Sequence, residues 1–266
     1  MGKYINVPQS ILGDLTATNP VALYASTLGT DGATEGKVTD SVALFETTNA
    51  VSVGDIVVIT TAVAGYAVRS WATITAVDSE TVLSVVGIGL PATSTGGLSA
   101  SGTIFSVIAA ADAYKCVVAA KDFPSVLQAG DWVLNTGTNL IYQVTSVPED
   151  TVIMLNVPGG VLTGNTVVVL SSVGVGSVSV RVDNTTVIRG NVANGQLTLH
   201  YKRGATNQKL TIDPNDTTLT SDAFAIEFMR LAERAMKSQW TNVALQMPLI
   251  AGGVDGVLYA DTLTWA

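Results

Sequence analysis

Val53-Gly54-Asp55-Ile56-Val57-Val58 recurs further along the chain as Ala129-Gly130-Asp131-Trp132-Val133-Leu134. Two more blocks follow each copy in the same order. Ile74-Thr-Ala-Val77-Asp-Ser-Glu-Thr81-Val82-Leu83 matches Val144-Thr-Ser-Val147-Pro-Glu-Asp-Thr151-Val152-Ile153, and Gly102-Thr-Ile104-Phe-Ser-Val107-Ile108 matches Gly164-Asn-Thr166-Val-Val-Val169-Leu170. An aromatic, Phe45 or Phe123, stands upstream of each Gly-Asp pair. Gly-Asp closes a turn and launches an apolar strand, because glycine accepts φ > 0 and the aspartate side chain bonds nearby backbone. The middle block reads as a hairpin turning at Asp78-Ser79-Glu80, and the last block as a closing strand. Several short strands per copy make a small barrel or sandwich. The repeat therefore predicts two tandem β-barrel modules, 36–111 and 112–172, with Gly54, Asp55, Gly130 and Asp131 as structural turn residues.

The ends of the chain have a different texture. Val173-Gly-Val-Gly-Ser177 reads as a joint. Strands are expected at Lys3–Val7, Ser177–Val182 and Thr185–Arg189, with a hairpin of Gln196–Tyr201 and Gln208–Ile212 turning at Lys202–Asn207. Further strands are expected at Asn242–Ile250, interrupted by Pro248, and at Val257–Trp265. Between them the periodicity predicts one amphipathic helix, about Asp222 to Trp240, capped by Ser221 or Asp222. Its packing face would be Phe224, Phe228, Leu231, Ala232 and Ala235, and its polar face Glu227, Arg230, Glu233, Arg234 and Lys237. Residues 1–35 and 173–266 would then form one α+β base domain carrying the two modules as insertions. The fold class expected is mainly β, in barrel or sandwich modules, with one amphipathic helix.

Bulk composition limits the chemistry. Of 266 residues, 47% are hydrophobic and only 13% charged, about half the usual charged share. Charge is depleted where surfaces meet neighbours, so this composition suits a protein that works by assembly. The net charge of −8 repels phosphate and speaks against a nucleic-acid partner. Most basic residues fall between Arg181 and Lys237, interleaved with acids. Nothing in the opening stretch reads as a secretory leader, and no stretch reaches the roughly eighteen apolar residues of a membrane span. Synthesis in a reducing cytoplasm is expected.

Motifs for catalysis are wanting. Cys116 is the single cysteine and His200 the single histidine. The first sits in an apolar, strand-like setting as a core residue; the second alternates away from Leu197 and Leu199 and is expected at the surface. No dinucleotide or Walker loop and no nucleophile elbow occurs. Asp55 and Asp131 read as turn caps without a base or further ligands nearby. Asp213-Pro-Asn215-Asp216 lacks EF-hand spacing and reads as a connection into the helix. No enzyme activity, metal or cofactor is expected.

The Gly-Asp-x-Val, Val-x-x-Val and Thr-Val-Leu pattern is similar to small β-modules of tailed-bacteriophage structural proteins. The ends, Met1-Gly-Lys-Tyr-Ile-Asn-Val-Pro8 with the Leu197–Ile212 hairpin and a helix ending near Ser238-Gln-Trp240-Thr-Asn-Val243, resemble small virion proteins of marine and cyanobacterial phages, whose short forms lack the inserted modules. The resemblance implies a virion structural protein present in many copies, made in the host cytoplasm. Its partners would be other virion proteins, such as the major capsid protein or tail proteins, and copies of itself. A capsid decoration or cement protein is the first expectation. A tail tube or other tail protein is the alternative. A glycan-binding adhesin or fibre is a third, and it would need Tyr66, Trp71, Trp132 and Tyr142 exposed. Subunits are expected to join by strand addition through residues 1–8 or 257–266.

Overall fold

The structure, a computed structural model, describes residues 2–26, 36–60, 70–86, 105–119, 121–171, 178–183, 185–191, 196–203, 206–214, 218–238, 243–247 and 259–265. The chain opens with β1 (Lys3–Val7), β2 (Gln9–Thr16) and β3 (Tyr24–Ala25). The first copy of the repeat supplies β4 (Lys37–Thr39), β5 (Ile56–Ile59), β6 (Trp71–Ser79), β7 (Val82–Val86) and β8 (Phe105–Ile108). The second supplies β9 (Lys115–Val117), β10 (Trp132–Asn135), β11 (Leu140–Glu149), β12 (Val152–Leu155) and β13 (Thr166–Ser171). Then come β14 (Val178–Arg181), β15 (Thr185–Asn191), β16 (Gln196–Arg203), β17 (Thr206–Pro214), helix α1 (Thr218–Lys237), β18 (Val243–Gln246) and β19 (Ala260–Trp265). The fold is mainly β with one helix, its antiparallel strands curled into half-barrels.

Packing divides the chain into two compact units. One comprises residues 1–15, 125–143 and 168–266; the other comprises 16–124 and 144–167. The second copy of the repeat thus contributes strands to both.

Strand pairing carries the repeat into three dimensions. Val38 pairs with Leu83 between β4 and β7, and Cys116 with Ile153 between β9 and β12. Ile56 pairs with Thr73, and Trp132 with Gln143. The two hairpins are irregular at the same point: the register slips between Ile74 and Ala76 in one and between Val144 and Ser146 in the other. The upstream aromatics hold equivalent places. Phe45 N–H donates to the Glu80 carbonyl at 3.0 Å and Phe123 N–H to that of Asp150 at 2.8 Å, and both rings are fully buried.

In the unit of 16–124 and 144–167, a six-stranded sheet has the order β3-β8-β5-β6-β7-β4. Its core gathers Val38, Phe45, Val57, Ile59, Ile74, Leu83, Phe105 and Val107. The backbone ladder leaves β3 and β4 as outer strands, so the expected barrel is a half-barrel here. Side chains join those edges instead. Tyr24 Oη and Ser26 Oγ, on and just beyond β3, each donate to Asp40 Oδ2 at 2.7 Å, one residue past β4. The Val42 N–H donates to Asp40 Oδ1 at 3.1 Å. A 1% exposed carboxylate is thereby given three donors, which a buried charge requires.

In the other unit, β14, β1 and β18 form one small sheet, while β15, β16, β17 and β19 run side by side in another. The two share a core with α1: Ile5, Val7, Val180, Leu197, Leu199, Leu210, Ile212, Phe224, Phe228, Leu231 and Ala235 all belong to it. Burying the two helix phenylalanines contributes roughly 1.5–3 kcal/mol each.

Several expectations change. The helix begins at Thr218, so Ser221 and Asp222 lie inside its first turns and do not cap it. The β16–β17 pairing continues to Arg203↔Thr206, where a longer turn was expected. Strands β2 and β3 were not foreseen. The terminal strands expected to add to neighbouring subunits are paired within the chain. β1 is the middle strand of its sheet, antiparallel to β14 and parallel to β18, and β19 lies between β17 and β2. The joint at 173–177, Tyr66, Trp240, Asn215 and Asp216 lie outside the described residues.

Candidate assembly surface

The turn residues picked out by the repeat have one geometry in both copies. Gly54 has φ 98° and Gly130 φ 101°, the left-handed region where an L side chain is strained. A methyl group added at either glycine would meet nothing, so backbone conformation alone calls for glycine there. The Ser52 N–H donates to Asp55 Oδ2 at 2.8 Å, and the Gln128 N–H to Asp131 Oδ2 at 3.0 Å. Asp55 Oδ1 also accepts the Ala110 N–H at 2.9 Å, beyond the end of β8. Both aspartates are buried, which is the setting of a turn lock.

The helix face is placed as its periodicity suggests, with one difference. Phe224, Phe228, Leu231, Ala232 and Ala235 are buried. Glu227, assigned to the polar face, is only 9% exposed; Arg230 reaches back across one turn and forks onto it, Nη2 to Oε1 at 2.6 Å and Nε to Oε2 at 2.9 Å. Glu233 and Lys237 form an exposed pair one turn apart, which holds the Glu233 carboxyl below its ordinary value. At the C-terminal end Lys3 Nζ, from β1, donates to the Met236 and Ser238 carbonyls at 2.8 Å each. A cation there satisfies orphan carbonyls and opposes the negative end of the helix dipole.

The helix also shows solvent three large apolar side chains, Ile226, Met229 and Met236, exposed by 62%, 42% and 49%. At 100° per residue, Met229 and Met236 lie on one flank of the exposed arc and Arg230 and Arg234 on the other, with Ile226 between. Arg230, Glu233, Arg234, Lys237 and Ser238 line an open depression of about 500 Å³. Arg234 has no ion-pair partner among the described residues.

The second exposed apolar group sits on the first module. Val42, Leu44 and Val53 are 53%, 47% and 66% exposed and lie within one turn region, 40–53. That region is locked from below: the Glu80 carboxylate accepts the N–H groups of Glu46 and Thr47, and Val51 N–H donates to the Phe45 carbonyl at 2.9 Å. In the sequence of the second copy Ala120, Asp122 and Ala129 align with these three residues, and Asp122 and Ala129 are exposed too.

The residues of possible chemistry are brought into no common site. Cys116 is fully buried, and burial pushes its thiol from 9.0 up to about 12. Such a thiol is unreactive. His200 lies half-buried on β16, opposite the buried pair Leu197 and Leu199. Among the described residues no three of His, Cys, Asp and Glu gather into a group able to hold a metal ion, and no helix is long and apolar enough to cross a membrane. The aromatics wanted for a glycan platform are largely inward: Tyr142 is 4% exposed, and Trp71 and Trp132 pack half-buried against separate apolar clusters. The Tyr24–Ser26–Asp40 seam was not read from sequence; a two-residue strand carries too little pattern to be seen. Its counterpart in the second module, Val118, is apolar. No protein-family model matches this chain, and no curated protein matches it in sequence.

Proposed function

We propose that this chain is a virion structural protein of a tailed bacteriophage, acting as a capsid decoration or cement protein. The observation that carries the reading is where the apolar surface lies. A chain with 13% charged residues exposes ten large apolar side chains among the described residues, and six of them, Val42, Leu44, Val53, Ile226, Met229 and Met236, lie on the 40–53 turn and on α1. Apolar groups held rigidly at the surface mark contact with other proteins. The polar groups that are buried, Asp40, Asp55, Asp131 and Glu227, sit in hydrogen bonds that hold turns, a seam and a helix. The terminal resemblance to small phage virion proteins adds the setting.

One observation favours a tail tube subunit as second reading: two sheets and α1 share a single core in the unit that contains both termini. Tube subunits combine the same parts. Quantitative mass spectrometry of separated heads and tails discriminates the two. The decoration reading expects the protein on heads in hundreds of copies; its recovery from tails alone overturns that reading and favours the tube.

A further inference from the structure

The repeat contains its own control. Both modules build the same ladder, with a positive-φ glycine, a buried aspartate and a buried phenylalanine at equivalent places, although the turn between phenylalanine and glycine is two residues shorter in the second. The ladder therefore does not require Leu44 and Val53, since the exposed Asp122 and Ala129 stand at the matching positions of the second copy. At these positions the first copy exposes large apolar side chains where the second has small or charged residues. That difference points to a contact made by the first module.

Charge indicates what covers it. The unit of 16–124 and 144–167 carries eleven acids and four bases, net −7; the other carries ten and nine, net −1. Glu46 is exposed beside Leu44 in this acidic unit. The exposed arc of α1 offers the complement: Ile226, Met229 and Met236 for the apolar residues and Arg234 for the acid, beside a depression also lined by the paired Arg230, Glu233 and Lys237.

We propose that the 40–53 turn of one copy docks on the solvent face of α1 of a second copy. The two surfaces differ, so the contact is heterologous and joins copies head to tail into a ring or row. This deepens the assembly reading above and rests on it for the biological setting. A contact of this size belongs to the weak class, strengthened by repetition along the array.

Sedimentation velocity on the purified full chain over a wide concentration range tests it. The wild type is expected to form species that grow with concentration. Leu44→Asp with Val53→Ala copies the residues of the second module, and should melt as the wild type does while associating at least about tenfold more weakly. Met229→Glu with Met236→Glu should do the same from the helix side. Mixed together, the two variants should form a one-to-one complex and stop, because each keeps one intact surface. A wild type that stays monomeric, a turn variant that associates normally, or a mixture that does not pair overturns the proposal. Co-sedimentation of the same proteins with purified capsids reads the virion role separately. Capsid binding by a monomeric wild type overturns self-docking and leaves the decoration reading standing; self-association without capsid binding supports docking and counts against decoration.

Discussion

Asp40 is a buried carboxylate whose three donors come from both edges of one sheet. Tyr24 ties the seam to the core as well, its ring standing edge-on to Phe45 at 5.2 Å. Burial, with the Asp40 charge beside it, raises the Tyr24 hydroxyl well above its ordinary value. Removing one partner of a buried bond costs the desolvation of the group left behind, whereas removing all partners together is nearly neutral. Asp40→Val, the residue of the second module, should therefore destabilise by about 1–3 kcal/mol, because the Tyr24 and Ser26 hydroxyls lose their carboxylate acceptor. Tyr24→Phe, Ser26→Ala and Asp40→Val combined should recover most of that loss in urea unfolding; additive losses would show that the seam holds by something other than these bonds. Cys116 offers a second test at this scale. Its thiol is raised from 9.0 to about 12 and the Tyr201 hydroxyl from 10.0 to about 12, both by burial. A raised value in the folded state means the native protein keeps the proton that the unfolded chain releases. Stability is then whole below pH 9 and falls as pH rises toward 12. Cys116→Val, which copies Val38 of the first module, should delay that fall to pH 10, measured as urea midpoints across the alkaline range.

At the scale of elements, strands were legible where their signals were local. The Gly-Asp turns and the hairpin blocks announce β5 to β7 and β10 to β12, because a positive-φ glycine and alternating apolar residues act over a few positions. β2 was hidden by its own Gly13-Asp14, the pair that elsewhere marks a turn; here Gly13 takes φ 67° within the strand. The helix start was misplaced because Thr218, Thr220 and Ser221 are weak helix formers that read more readily as a cap than as a first turn. The apolar helix face was legible from its period, but the burial of Glu227 was not, since it depends on Arg230 turning back to cover it. The assembly surface was invisible for a related reason: which residues of a turn face outward is settled only once the turn is built. The role of β1 depends on long-range pairing, and no short motif records it. Lys3→Met keeps the stem but removes the charge at the end of α1, and should cost about 1 kcal/mol in the denaturation midpoint. Deleting residues 2–7 removes the middle strand together with the fully buried Ile5 and Val7, so it should abolish the cooperative unfolding of that unit. A truncated protein that folds normally but fails to assemble would restore a strand-exchange role for this segment.

For the molecule as a whole, net charge and exposed apolar surface oppose one another. At neutral pH the net charge of −8 weakens association without abolishing it, and most of it lies in the unit that carries Val42, Leu44 and Val53. Repulsion of this kind weakens as carboxylates take up protons and is gone near the pI, about 4.5. The apolar groups do not titrate, so their attraction persists across the same range. Static light scattering from pH 7.5 down to the pI should therefore show association strengthening, reversibly and before any loss of the folded signal in circular dichroism. Leu44→Ser with Val53→Ala reduces two exposed apolar side chains without changing the charge, so its stronger association should set in at lower pH than in the wild type. If both proteins associate at the same pH, charge neutralisation alone drives the process and the turn contributes nothing to it. If the variant lags, the same residues that separate the first module from the second also govern how copies of the chain meet.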